Sequence, residues 1–266
     1  MTTNAPIRTT ARGVTFAGTV RPEWIKFRGL TSNLLISGFT FALLIANAVL
    51  MPWAYVFRDR SSAQADYDAY PEMIVDKTGY LGVILVLLAA LLVTNEYRSG
   101  QIKATFLAVP RRTPVLAAKA LIVAVVALVV GVLSAGIGFA VAPAILATGG
   151  YGYELPIDVA LRLIVGPGLY LATLSVIGIA LGALIRNVVA SVLSVLALLL
   201  VIPIIPQMVS ADGAEVTRFF PIQAGSQLLA QTDPNALGPW TGYLILFAWT
   251  LVLALVAAIV LRRRDA

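Results

Sequence analysis

EYRSGQIKATFLAVPRRTPVLAAK, residues 96–119, is a polar and basic stretch set between two long apolar runs. Its charges are Glu96, Arg98, Lys103, Arg111, Arg112 and Lys119, five positive against one negative. Read as a helix from Glu96 to Val109, it places Ile102, Phe106 and Val109 on one narrow apolar stripe, with Arg98 and Lys103 elsewhere on its surface. Pro110 stops the helix, Arg111 and Arg112 form a basic end, and residues 114–119 are the foot of the next apolar run. A short helix with an apolar stripe, held between two membrane spans, has the form of a handle for a soluble partner. Contact with anionic lipid is the other reading of five basic residues. That contact requires neither the stripe nor the proline stop.

Composition sets the class. Apolar residues make up 59% of the 266-residue chain and charged residues 12%, against about 45–50% and about 25% in ordinary soluble domains. The chain therefore reads as an all-α integral membrane protein of the bilayer. Its net charge of +6 fits basic loops retained on one side of a membrane better than nucleic-acid binding. With no Cys and no His, disulfide and thiolate chemistry is excluded, and neither a zinc nor a haem site is expected.

Six spans are expected from the apolar runs, at about 33–57, 78–95, 114–147, 158–185, 188–205 and 240–261. Residues 1–20 read as a mobile tail. RPEWIKFRGLTS, residues 21–32, reads as an amphipathic interfacial helix, with Trp24, Phe27 and Leu30 recurring every three residues and Trp24 as anchor. The third run exceeds one crossing and is expected to tilt, kink near Pro143 or protrude. Residues 207–239 are moderately apolar, and FFPIQAGSQLL within them reads as a short helix lying at or dipping into the interface. Residues 262–266 form a basic tail.

The positive charges orient the chain. With both termini inside, the inner segments hold 14 Lys and Arg and the outer segments 5, so residues 96–119 and both termini are expected in the cytoplasm. No phosphate-binding GxxxxGK[ST] occurs, and no HExxH or GxSxG, so the chain carries no nucleotide-hydrolysing or hydrolase motif of its own. The expected spans hold no midplane carboxylate of the kind proton-coupled carriers use. Gly178 and Gly182 make a GxxxG that serves either helix packing inside the chain or a dimer seam. Asp158 and Arg162 stand at pairing distance on a helix. Ser134, Ser175, Ser191 and Ser194 are expected to bond their own helices. Tyr151, Tyr153, Trp240 and Tyr243 fit an outer aromatic belt.

Taken together, EWIKFRGL before the first span, the 96–119 stretch and six spans with a polar link before the sixth resemble the permease subunits of ABC transporters of the type-2 export class. Glu96, Tyr97, Arg98, Gly100, Pro110, Arg111, Arg112, Leu116 and Lys119 match the pattern of that family's first cytoplasmic loop, and Pro221 and Gly225 match the segment before its last span. The resemblance implies a plasma-membrane permease without a catalytic centre, cofactor or metal of its own. It implies as partners a pair of cytoplasmic ATPase subunits that hold ATP and Mg, and a second permease chain in a homo- or heterodimer. Residues 21–32 would be the connecting helix and the helix of residues 96–109 the coupling helix, with Glu96, Arg98, Gly100, Gln101, Ile102, Phe106 and, in the basic stop after it, Arg111 as coupling residues. Efflux of an amphipathic drug, peptide or lipid-like molecule is the function implied. An ion-coupled carrier and a non-transporting assembly or sensor subunit are the other readings of the residues.

Overall fold

The computed structural model describes residues 16–57, 71–101, 112–152, 155–209, 213–230 and 237–263, and every regular element among them is helical. Helix α1 (Phe16–Gly29) precedes α2 (Thr31–Val56); a 3-10 turn at Pro71–Ile74 leads into α3 (Thr78–Ser99). Then come α4 (Arg112–Thr148), α5 (Ile157–Ile185) and α6 (Val188–Leu196), which runs into a π turn at Ala197–Val201. Three short helices, α7 (Ile204–Val209), α8 (Gly213–Thr217) and α9 (Pro221–Ser226), precede α10 (Pro239–Arg263).

Five of these, α2, α3, α4, α5 and α10, are long and apolar enough to cross a membrane. The run expected to supply a further span, residues 188–205, is broken. Its nine-residue α6 and five-residue π turn rise only about 21 Å, short of the roughly 30 Å of a bilayer core. The helix ends where Pro203 supplies no N–H, after the Ile202 amide has bonded the Ala197 carbonyl at 2.8 Å. In contrast, α4 continues through Pro143 for 37 residues, about 55 Å and far more than one crossing.

At the centre lies α5, which packs against α4, α3 and α10. Small residues let its backbone approach those neighbours. A Cβ on Gly178 would meet the Val86 carbonyl oxygen at 2.2 Å, and one on Gly182 the Ala90 carbonyl oxygen at 2.8 Å. Both glycines of the GxxxG thus lie against α3 of the same chain. Toward α4, Gly131 meets Gly168 of α5, where an added Cβ would stand 2.6 Å from the facing Cα.

Along α2 the usual arrangement is inverted. Asn33, Ser37, Thr40, Leu44 and Asn47 face inward, whereas Leu34, Leu35, Phe39, Leu50 and Trp53 are exposed. This suits a helix whose surroundings are lipid, provided the inward hydroxyls and amides find partners. They do: Ser37 donates to the Asn33 carbonyl at 2.8 Å, Thr40 to that of Ile36 at 2.9 Å, and Asn47 to that of Ile74 at 3.2 Å. Ser134, Ser175 and Ser194 likewise donate to carbonyls of their own helices, as expected; Ser191 departs from the expectation, its buried hydroxyl bonding no carbonyl among the described residues.

Away from α1, the far end of the bundle is closed by the α9 segment. Pro221, Ile222, Ala224, Gly225, Leu228 and Leu229 are buried there. The fully buried Tyr170 of α5 donates to the Ile222 carbonyl at 2.6 Å. Its ring fits only because Gly79 and Gly225 flank it, since a Cβ on either would come within 2.1 Å of it. Arg162 does not pair with Asp158. It reaches instead to the carbonyls of Leu228 and Ala230, since buried carbonyls at the end of a short helix need donors more than an exposed Asp158 does. Of the aromatic belt, Tyr151 packs edge-on against Tyr55 at 5.0 Å and Trp240 against Tyr243 at 6.4 Å; Tyr153 lies outside the described residues.

The glycine seam predicts a contrast. Gly178→Val pushes a side chain into the α3 backbone and should destabilise the detergent-solubilised protein by about 2–3 kcal/mol. Gly38→Ala in α2, where nothing lies within 4 Å of the new methyl, should leave thermal unfolding unchanged or raise it slightly. Equal effects of the two would mean that the α3–α5 contact is looser than described.

Candidate coupling site at the basic end of the bundle

Helix α3 does not stop at Asn95. It continues through Glu96 to Ser99 and ends where Gly100 takes a left-handed conformation, φ 73°, its amide bonding the Tyr97 carbonyl. Glycine adopts this backbone without the steric penalty other residues incur, which makes it a natural helix terminator. The last turn of α3 therefore belongs to the span, and the handle expected from Glu96 onward is broken at Gly100. Arg98, Gly100 and Gln101 are exposed. Ile102, Phe106 and Arg111 lie outside the described residues.

Glu96 is turned inward. Its side chain is 9% exposed, and its Oε1 accepts from Lys119 Nζ of α4 at 2.8 Å and from Lys26 Nζ of α1 at 3.1 Å. The same two ammonium groups bind Glu23 of α1: Lys26 reaches Oε1 at 2.8 Å, and Lys119 bonds Oε2. Two carboxylates and two ammonium groups so close a ring joining α1, the end of α3 and the foot of α4. Glu23 and Lys119 are almost fully buried, Lys26 only partly.

The ring explains how α1 lies. The helix begins at Phe16, earlier than expected, and its buried face is Thr19, Glu23 and Phe27, at four-residue spacing. The expected stripe splits: Phe27 is buried, while Trp24 and Leu30 are exposed. Trp24 stacks on Phe27 at 6.0 Å with Arg28 over its outer face, a position suited to an interfacial anchor. Asn33 at the start of α2 donates to the Phe27 carbonyl at 3.1 Å and so helps close the end of α1.

Two further contacts gather the remaining helices. The Arg186 guanidinium, in the turn between α5 and α6, sits 5.1 Å from the centre of the Tyr97 ring. Arg262 near the end of α10 donates to the Thr113 hydroxyl at the start of α4 at 3.1 Å. The ends of α5 and α10 on this side are thereby tied to residues that flank 102–111.

Electrostatics agree with the geometry. Burial alone pushes the Glu23 carboxyl up, but the Lys119 charge and its hydrogen bond, with those of Lys26, outweigh it and hold Glu23 below its ordinary value. Burial likewise depresses the Lys26 amine, yet its bonds to Glu23 and the charge of Glu96 raise it above its ordinary value. The stabilisation from Glu23 is full above its ordinary 4.5 and is lost as pH falls through the lowered value; that from Lys26 is full below its ordinary 10.5 and is lost only above the raised one. No group of three or more His, Cys, Asp or Glu suited to a metal occurs among the described residues.

Sequence reasoning placed Glu96 among partner-facing residues and did not connect it to Glu23, Lys26 or Lys119. A signal was present: Glu96 is the only acid in residues 96–119, and Lys119 is the last charge before an unbroken apolar helix. An isolated charge at the edge of a span seeks a partner of opposite sign.

Two tests follow from the ring. Lys119→Met strands a buried carboxylate and should destabilise the protein by about 3–5 kcal/mol, whereas adding Glu96→Gln should recover part of that loss, because Glu23 and Lys26 still pair. Thermal unfolding of the four proteins of this cycle reads it; strictly additive losses would count against a ring. In addition, the fluorescence of a variant keeping Trp24 as its sole tryptophan should be constant from about pH 5 to 9 and shift only below about pH 4.

Residues 19–205, more than two thirds of the chain, match the family model described as ABC-2 family transporter protein. No match is found among curated proteins.

Proposed function

The chain belongs to the ABC-2 family of transporter proteins, and within it we propose an ATP-driven exporter as the machine it serves. Membership makes the chain a multi-pass membrane permease of an ABC transporter, with its partner ATPase and lipid around it, and not itself a catalytic enzyme. Our reading goes further. Two ATPase subunits close on ATP and Mg, a second permease chain faces this one in a homo- or heterodimer, and an amphipathic drug, peptide or lipid-like substrate leaves the cell. Both termini and residues 96–119 are cytoplasmic in the plasma membrane, and the broken run from α6 through α7, about 33 Å from Val188 to Val209, supplies a sixth crossing.

The observation that carries this reading is the charge ring. It joins α1 to the last turn of α3 and the foot of α4, the two helices that flank residues 102–111. An ATPase gripping that segment through Ile102 and Phe106, with Arg98, Gln101 and Arg111 setting its register, would move three helices as one. A lipid-binding loop has no use for such a joint. The same ring also gives Glu96 a part in coupling as a positioning residue, since it fixes where the gripped segment leaves α3.

The direct test is co-purification with the ABC ATPase encoded beside this chain. Phe106→Asp should abolish recovery of the ATPase while the permease still inserts and is extracted in normal yield. In vesicles holding the wild-type pair, efflux of an amphipathic dye should require ATP and stop in the Phe106→Asp pair. Undiminished recovery of the complex, or transport driven by an ion gradient without ATP, would refute the proposal.

A further inference from the structure

A cavity of about 680 Å³ lies inside this one chain, between α1, the start of α2, the second half of α3 and the foot of α4. Its size is that of a pocket for a drug-sized ligand. The two ends of the cavity differ in chemistry. Ile36, Leu88, Leu91, Leu92 and Ile122 make an apolar wall, and the ring residues Glu23, Lys26, Glu96 and Lys119 close the other end, with Arg98 and Gln101 beside them. Along α3, Leu88 and Glu96 are eight positions apart, about 12 Å of helix. A molecule that fills the space must be apolar over that length and polar at one tip.

The hydrogen bonds of the ring say which polar tip. Both oxygens of Glu23 and Oε1 of Glu96 are taken by ammonium groups, but Glu96 Oε2, buried in a side chain only 9% exposed, has no hydrogen-bond partner. A buried carboxylate oxygen without a donor carries its full desolvation cost. What it lacks is a donor, best a charged one. Lys26, Lys119 and Arg98 stand at the same end, so the choice is made by the hydrogen bond: at Oε2 a sulfate or a carboxylate has no proton to give, and neither has a quaternary ammonium.

We propose that this cavity binds an amphiphile headed by a protonated primary amine, its amine donating to Glu96 and its apolar chain lying along Leu88, Leu91 and Ile122. Binding is a property of the single chain and needs neither the ATPase nor a second permease, so it stands or falls apart from the export reading. The amine comes either from a phosphoethanolamine lipid, whose phosphate Arg98 is placed to meet, or from a free amphiphilic amine.

The experiment uses the full chain in nanodiscs and three photoreactive twelve-carbon probes that differ only in their head: primary amine, hydroxyl and sulfate. The amine probe should label α3 near Leu88 to Leu92 and α4 near Ile122, at least about tenfold above the other two. Glu96→Gln should bring the amine down to the level of the hydroxyl. Leu91→Trp, which fills the apolar wall without touching the ring, should reduce labelling by all three probes. Suppression of amine labelling in phosphatidylethanolamine nanodiscs, compared with phosphatidylcholine, assigns the site to the lipid; equal labelling in both assigns it to a free amine. Equal labelling by all three heads, labelling confined to residues outside the cavity, or indifference to Leu91→Trp would overturn the proposal.

Discussion

Four charges that cannot leave one another hold the basic end of this protein together. Glu23, Lys26, Glu96 and Lys119 come from three helices, and at least three of them are removed from water. Each buried ion alone would lose several kcal/mol of hydration, and only its neighbours compensate. The consequence is specificity of position. An apolar contact between α1 and the bundle would tolerate sliding, because hydrophobic attraction has no direction. The ring permits one register, since a shift of one residue along α1 would carry Glu23 about 100° around the helix and away from Lys119.

The opposite end is built on a different principle. There Tyr170, Arg162 and Trp249 each donate to backbone carbonyls of the α9 segment or its flanks. A short helix inside a membrane bundle leaves carbonyls unbonded at its end, and in the absence of water each needs a side-chain donor. Side-chain donors from α5 and α10 meet this need. The far end is therefore held by neutral and cation-to-carbonyl bonds, whereas the core of the basic end is a set of paired charges.

Much of this could be read from residues alone, and the boundary between what could and what could not is physical. Long apolar runs locate spans because a bilayer demands about 20 such residues in a row, and the limits of α2, α4, α5 and α10 fell within a few positions of the expected ones. Pro221 and Gly225 pointed to the α9 segment, though not to Tyr170, since a side chain that needs two glycines to clear it leaves no periodic trace. Periodicity misled at α1: spacings of three and of four both describe a helix face, and Trp24, Phe27 and Leu30 competed with Thr19, Glu23 and Phe27. The second set is the buried one, and it includes a carboxylate that no hydropathy pattern would send inward. Pairing across 96 positions, as between Glu23 and Lys119, has no local signature at all. Residues 102–111, the stretch with the clearest apolar stripe, lie outside the described residues, so the stripe rests on its spacing.

How a movement at one end could reach the other follows from the seams between helices. Gly178 and Gly182 bring α5 within backbone contact of α3 at Val86 and Ala90, and Gly131 and Gly168 do the same for α4 and α5. Seams this close have no side chains to deform, so helices joined by them resist bending and separation but retain sliding along their common axis. Helices α1, α3 and α4 are joined by the ring, and two of them meet α5 through glycine. Helix α3 runs from Gly100 back to Gly79 as one rigid element. Gly79 lies directly against the Tyr170 hydroxyl, the group that fastens Ile222. A continuous chain of contacts, through backbone seams and the Tyr170 side chain, therefore links the charged end to the α9 closure, and its narrowest points are glycines.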